Sequence, residues 1–276
     1  MAAPTTGEVL TQWTWEPSIV IGIALISLGY AYAAGPLRRR RGEPPFGRGR
    51  IALFITAQLV LVLALMSPLD ELGDEYLFSA HMVQHLLLAS LWPPLILLSL
   101  PGWLVAPVFR WRPTASLAQF FVLPAIAIIF FNVDIYLWHI PALYDLTLEN
   151  EAVHILEHLT FMAFGVINWW PILSPIKEQR LSYPLQVLYL FADGMFMMVL
   201  GIVFTFSPIV FYTPYLSAPR VWGISALTDQ QLGGLIMWYP GNIPYAVSLI
   251  AAFYKWFEGG EEANPAQSPT IGPHLS

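Results

Sequence analysis

The stretch PLQVLYLFADGMFMMVLGIVFTF, Pro184 to Phe206, decides the fold. It has the length that crosses a hydrocarbon core roughly 30 Å thick as a helix, and Asp193 is its one charged side chain. Its apolar positions are continuous rather than alternating, so a helix is expected and a barrel strand is not. Six comparable segments can be read: Ser18 to Ala34, Ile51 to Ser67, Tyr76 to Leu100, Leu117 to Trp138, Glu151 to Trp170 and Asp229 to Trp256. Over all 276 residues, 57% are hydrophobic and 11% charged, and mean hydropathy is +0.60. Soluble domains carry about 25% charged residues, so this chain lacks the polar surface to cover a water-facing globule. The expectation is an all-α polytopic membrane protein, a seven-transmembrane-helix bundle.

Prolines are expected to end segments, at Pro36, Pro68, Pro101, Pro141, Pro171, Pro208 and Pro214, and Pro93 and Pro94 to kink the third. The bundle is placed at residues 18–256, between an outer tail, 1–17, and a cytoplasmic tail, 257–276; both read as short interfacial or disordered segments.

Charge sets the expected orientation. Eleven of the 12 basic residues, among them Arg38 to Arg41, Arg110, Arg112, Lys177 and Arg180, fall in alternate connections; Arg220 is the exception. Basic residues mark the cytoplasmic face, so the N-terminus is read as outside and the C-terminus as inside. The opposite face is acidic, with Asp70, Glu71, Asp74 and Glu75 in one loop and Asp145, Glu149 and Glu151 in another. The first span has its basic cluster after it, the reverse of a signal peptide, so Arg38 to Arg41 read as an anchor. No nucleic acid or nucleotide partner is expected: no P-loop or dinucleotide fingerprint is present.

Five of the six histidines fall at one expected depth. His81 and His85 open the third span, His139 closes the fourth, and His154 and His158 open the fifth. Spacing of i, i+4 puts each pair on one helix face, enough for a tetrahedral metal site or two smaller ones. Both pairs follow H-x-x-[QE]-H, with Gln84 and Glu157 between them. Glu157 is a candidate ligand or tautomer-fixing acceptor; Gln84 suits hydrogen bonding alone. Interfacial placement and a proton-responsive cluster are the alternatives to a metal or cofactor site. Imidazole does not choose among zinc, copper, iron and nickel. With no cysteine, methionine is the one soft ligand available, but residues such as Met82, Met195, Met197, Met198 and Met237 are more often core filling than ligands.

Asp193 is expected to bond a neighbouring helix or to form a deeper cation position with Met197. Asp134 and Asn132 could orient His139. Asp229 opens the seventh segment, where it complements the helix dipole, and Gly233 and Gly234 allow close helix packing. Tryptophans including Trp13, Trp15, Trp169 and Trp170 read as an aromatic belt. His154 to His158 also fits H-x-x-E-H, the inverted zinc-protease pattern, on five residues.

Three stretches carry a family resemblance. They are SAHMVQHLLL (Ser79 to Leu88) followed by Pro93-Pro94, WHIPALY (Trp138 to Tyr144) running on to Trp169-Trp170-Pro171, and DQQLGGLIMW (Asp229 to Trp238) with Pro240-Gly241. In these the chain resembles the multi-span cytochrome c oxidase assembly factors called CtaG in Gram-positive bacteria. The resemblance implies a multi-pass protein of the bacterial plasma membrane that helps to mature haem–copper oxidase, with copper delivered to an oxidase subunit. It selects His81, His85, His139, His154 and His158, with Glu157, Asp229 and Met237 as additions. The expected role is not catalytic and the expected metal is copper, with zinc or haem as alternatives. The rivals are a membrane metalloenzyme using Glu157 as base, a haem-binding electron-transfer subunit and a scaffold.

Overall fold

The computed structural model describes residues 4–262. Its main helices are α1 (Thr6–Leu10), α2 (Pro17–Arg41), α3 (Arg48–Leu65), α4 (Pro68–Glu75), α5 (Phe78–Ser99), α6 (Arg112–Phe121), α7 (Pro124–Trp138), α8 (Pro141–Glu149), α9 (Glu151–Leu173), α10 (Tyr183–Phe206), α11 (Thr213–Ser217) and α12 (Ala226–Glu262). No strand occurs among the described residues.

Proline opens helices here more often than it ends them. It occupies the first or second position of α2, α4, α7, α8, α10 and α11, where its missing N–H would have had no partner anyway. Pro68, Pro141 and Pro214 thus start the next helix, while Pro36 and Pro171 lie inside α2 and α9. Within α5 the strain of Pro93 is absorbed by a π-helical turn, Leu87–Leu91. Such turns take up a break in the i to i−4 ladder. The basic anchor Arg38–Arg41 forms the last turn of α2, where cations suit the helix dipole. Gly42 closes it at φ +67, the left-handed conformation that favours glycine.

Four helices, α2, α3, α5 and α10, are long and apolar enough to cross a membrane, and α6 with α7 makes a fifth candidate bent by 75°. The single fourth span expected over Leu117 to Trp138 is therefore broken, because Pro124 cannot continue α6. Alone, the 15 residues of α7 reach about 22 Å. α9 (23 residues) and α12 (37 residues) have the length but lie outside the apolar set, for α9 carries His154, Glu157, His158 and Asn168. α12 extends well past the expected end of its segment, and residues 263–276, with His274, lie outside the described residues. The expected N-terminal tail contains α1, whose Val9 is buried and whose Thr5–Glu8 capping box is complete.

Glycines set the close approaches. A Cβ on Gly201 would lie 2.9 Å from the Gly234 carbonyl oxygen, and one on Gly234 2.7 Å from that of Gly201, so α10 and α12 meet backbone to backbone. Gly165 of α9 faces the Ala89 carbonyl of α5, where an added Cβ would lie at 2.8 Å. Pro93 has no N–H to give that carbonyl. This contact draws together the two helices that carry the paired histidines. Trp169 and Trp170 are buried in a core with Tyr189, Leu190 and Tyr245, not in a belt; Trp13 and Trp15 are exposed.

The connections gather at two ends. At one, Thr14 bonds Asp70 (3.1 Å), Tyr215 bonds the Gly73 carbonyl (2.7 Å), Thr213 bonds Asp145 (2.7 Å) and Trp222 bonds Thr6 (3.0 Å). At the other, Tyr30 reaches the Ser99 carbonyl (3.4 Å), Arg41 lies over Trp103 (5.6 Å) and Phe109 packs on Trp170 (5.1 Å).

Candidate metal centre

The first turn of α5 has no side-chain cap of its own. Asp229 of α12 supplies one: its carboxylate accepts from the Phe78 and Ser79 N–H groups (2.7 and 3.2 Å) and from the Ser79 hydroxyl (2.5 Å). Asp229 therefore faces the end of α5, its oxygens taken, and holds the helix that presents His81 and His85. α9 begins at Asn150, whose side chain accepts from Ala152 and Val153 N–H; one turn later come His154, Glu157 and His158.

The two helices bring these side chains into one cluster. His81, His154, Glu157 and His158 each offer a ligand atom, and all four atoms lie within 4.8 Å of one another. His81 and His85 rings stand 4.1 Å apart, His154 and His158 rings 4.2 Å, and His81 lies 5.4 Å from His154 across the helices. His85 Nε2 is 3.7 Å from Glu157 Oε1. His81 and Glu157 have no exposed surface, and His85 and His158 are buried. His154, with 13% of its side chain exposed, forms the rim.

Asp74 sits at that rim. Its carboxylate lies 3.2 Å from His81 Nδ1 and 3.5 Å from His154 Nδ1, neither aligned as a hydrogen bond. Gly73 permits this, since a Cβ there would lie 2.9 Å from His81 Cα. Three tyrosines roof the site: Tyr144 stacks on Tyr212 (3.9 Å), Tyr212 donates to the His139 carbonyl (3.0 Å) and Tyr215 to that of Gly73. Burial pushes the Tyr144 and Tyr215 hydroxyls up, so both stay protonated and Tyr144 donates to Tyr215 at 2.9 Å.

The cluster's polar atoms are unsatisfied. Both ring nitrogens of His81 and His85, Nε2 of His154 and His158, and both oxygens of Glu157 are buried without a hydrogen-bond partner. Burying such groups unpaired costs about 1–3 kcal/mol each. Imidazole nitrogens and a carboxylate in this state are the donor set a first-row transition metal takes, so the residues fit a metal.

The remaining expected residues divide. Gln84 points away, donating to Asp70 (2.7 Å) and the Ala64 carbonyl (3.0 Å). Asp134 accepts from Trp138 (3.1 Å) and does not orient His139; the Ile135 carbonyl does, at 2.7 Å from Nδ1. Asp193 accepts from Asn132 (2.7 Å) and Asn168 (2.5 Å), so it bonds neighbouring helices with both its oxygens. Met197 and Met237 lie instead beside His85 and His139. Asp74 is legible in the sequence only as one of four loop acids, and nothing in its spacing ties it to His154.

Together these features define a helical membrane protein with a buried imidazole–carboxylate cluster near one end. The chain belongs to the cytochrome c oxidase caa3 assembly factor family, whose model matches residues 28–259. It is 28% identical over 270 residues to uncharacterized proteins of Mycobacterium bovis and Mycobacterium tuberculosis, and 26% identical to one of Mycobacterium leprae. Each match covers 92% of this chain and 40% of the relative, so the chain spans about two fifths of their length. No solved structure matches.

Proposed function

We propose that this assembly factor takes up copper as its cargo through His81, His154, His158 and Glu157, with His85 alongside, and passes it to a cytochrome c oxidase subunit. The observation that carries the reading is the set of buried, unsatisfied nitrogen and oxygen atoms within one ion's reach. Asp74, 29% exposed, and the neighbouring Asp70, Glu71 and Glu75 concentrate cations at the mouth. The partly exposed His154 takes the ion first, and the buried residues hold it. A cargo site must release as well as bind, and a rim open to solvent serves both. The role is that of an assembly factor, not a catalyst.

The same reading sets seven crossings in the bacterial plasma membrane, with α9 and α12 as the fifth and seventh. The helix ends support it, since acidic connections meet at one end and the basic ones at the other. The N-terminus and the metal centre are then outside and the C-terminus cytoplasmic. Because the chain has no cysteine, single reporters test this: Glu149→Cys should react with an impermeant thiol reagent in intact cells, and Glu178→Cys only after permeabilisation.

The metal assignment is tested by metal analysis of purified protein after loading with divalent copper, which a thioether site does not select. His158→Ala and Glu157→Gln should each lose the bound ion, and Asp193→Asn should keep it. Unchanged stoichiometry in both cluster variants would sink the assignment.

A further inference from the structure

Beside the imidazole–carboxylate cluster, the core holds a second group of metal-ligating atoms that the outer site does not use. Met82 of α5, Met197 of α10 and Met237 of α12 are all buried and, with His85 and His139, line an internal cavity of about 10 Å³. That is room for about one water-sized particle. Three of the protein's eight methionines converge there from distant parts of the chain. Methionine is ordinary core filling, so convergence alone decides nothing.

His139 decides it. Its Nδ1 lies 2.7 Å from the Ile135 carbonyl oxygen. A carbonyl only accepts, so Nδ1 carries the proton. The neutral ring then presents a lone pair at Nε2. That nitrogen lies 3.5 Å from Met82 Sδ, which is itself a weak acceptor. Two lone pairs thus face each other in an apolar chamber with no proton between them, an arrangement that a cation ligated by both would satisfy. Thioether sulfur selects reduced copper, and imidazole accepts copper readily.

We propose that Met82, Met197, Met237 and His139 form a second, soft cation site that takes monovalent copper, with His85 standing between it and the outer cluster. The His85 ring lies 5.6 Å from that of His158 and 6.1 Å from that of His139. It can therefore hand an ion inward without a change of oxidation state. The direction of transfer rests on the copper reading above; the existence of the site does not. Methionine's three rotatable bonds let the sulfurs close on an ion with little backbone movement. The outer cluster, with its carboxylate, is the harder of the two and also suits divalent ions.

The test uses the full chain in detergent under anaerobic conditions, titrated with cuprous ion against a competing chelator and examined by X-ray absorption at the copper edge. The wild type should take up a second equivalent of cuprous ion and show sulfur in the copper shell. The combined Met82→Leu, Met197→Leu, Met237→Leu variant conserves volume. It should lose the sulfur signal and bind that equivalent at least about tenfold more weakly, yet keep zinc binding at the outer cluster. The combined His154→Ala, His158→Ala variant should lose zinc and keep sulfur-ligated copper. Absence of sulfur scattering in the wild type, or cuprous binding unchanged in the methionine variant, overturns the proposal. If the triple variant does not fold, Met237→Leu alone should reduce the sulfur contribution without abolishing it, and an unchanged sulfur signal there overturns the proposal. Zinc binding that survives the two histidine substitutions, with the sulfur signal intact, would instead overturn the outer-site reading and leave this one standing.

Discussion

Two groups of buried polar residues in this bundle are built on opposite principles. Around Asp193, both carboxylate oxygens have a partner. Asn132 and Asn168 donate to its two oxygens, and Tyr189 donates to Asn168 at 2.7 Å. Around Glu157, both carboxylate oxygens and at least one ring nitrogen of each of His81, His85, His154 and His158 are buried without a hydrogen-bond partner. Both groups draw on several helices, but one carboxylate is satisfied within the chain and the other is not. The comparison separates a polar network that holds the fold from one that the fold holds ready. Burial and an acidic side chain are common to both, and whether the carboxylate is hydrogen-bonded tells them apart.

Isosteric amides break this comparison most sharply. Asp193→Asn leaves one oxygen for two amide donors, so a buried N–H₂ must face another donor. It should lower stability by about 2–3 kcal/mol in detergent unfolding. Glu157→Gln replaces an unpaired carboxylate with a neutral group and should leave the metal-free protein as stable or more so. A melting temperature lower for Glu157→Gln than for Asp193→Asn would remove the contrast. Metal then sharpens it. Divalent copper, which a thioether site does not select, at about 100 times its dissociation constant should stabilise the wild type and Asp193→Asn by about 2.7 kcal/mol and leave Glu157→Gln unmoved.

The cap on α5 gives a smaller effect. Asp229→Asn keeps the shape but can no longer accept as a charged group at both ends of the Phe78–Ser79 turn. Losses at capping positions run to about 1 kcal/mol. Metal affinity should weaken in parallel, since His81 lies within the first turns of that helix. Equal affinity with reduced stability would show that the cap serves folding alone.

How much of this is legible in sequence depends on the range of the interactions. The histidine pairs are, because i, i+4 spacing is a local property of a helix and both pairs open apolar segments. The helical membrane class is, because continuous apolar runs of spanning length have few other uses. The break before Pro124 is hidden by unbroken apolar character on both sides of it: Phe120, Phe121, Val122 and Leu123 read as one span with Pro124 to Trp138. Asp229 suggests the dipole of its own helix, whereas it caps one 150 residues away, and no periodicity carries that. Gln84 invites analogy with Glu157 through its place between two histidines. Both stand about 60° round the helix from the first histidine, and the placement of Ala64 and Asp70 beside α5, which no local spacing carries, is what turns Gln84 away. The methionine chamber needs four helices to be placed before its members meet.

The smallest effect lies where the two principles meet, at Asp70. It accepts from Gln84 and Thr14 (2.7 and 3.1 Å), so it is partnered like Asp193, yet it belongs to the acidic rim beside Asp74. Burial, then the Asp74 carboxylate, pushes its carboxyl up to about 7, against the hydrogen bonds from Thr14 and Gln84 that pull it down. The folded state therefore binds more protons than the unfolded one between about pH 4, the ordinary aspartate value, and pH 7. Stability should fall as pH rises through that window and level off above it. Because Asp70 is only partly buried, solvent screening should hold the total to about 1 kcal/mol. Asp70→Asn should flatten the slope without changing metal stoichiometry. If the wild-type melting temperature is flat from pH 4 to 7, the carboxyl ionises as it would in water, and the rim is more open than its packing against α5 indicates.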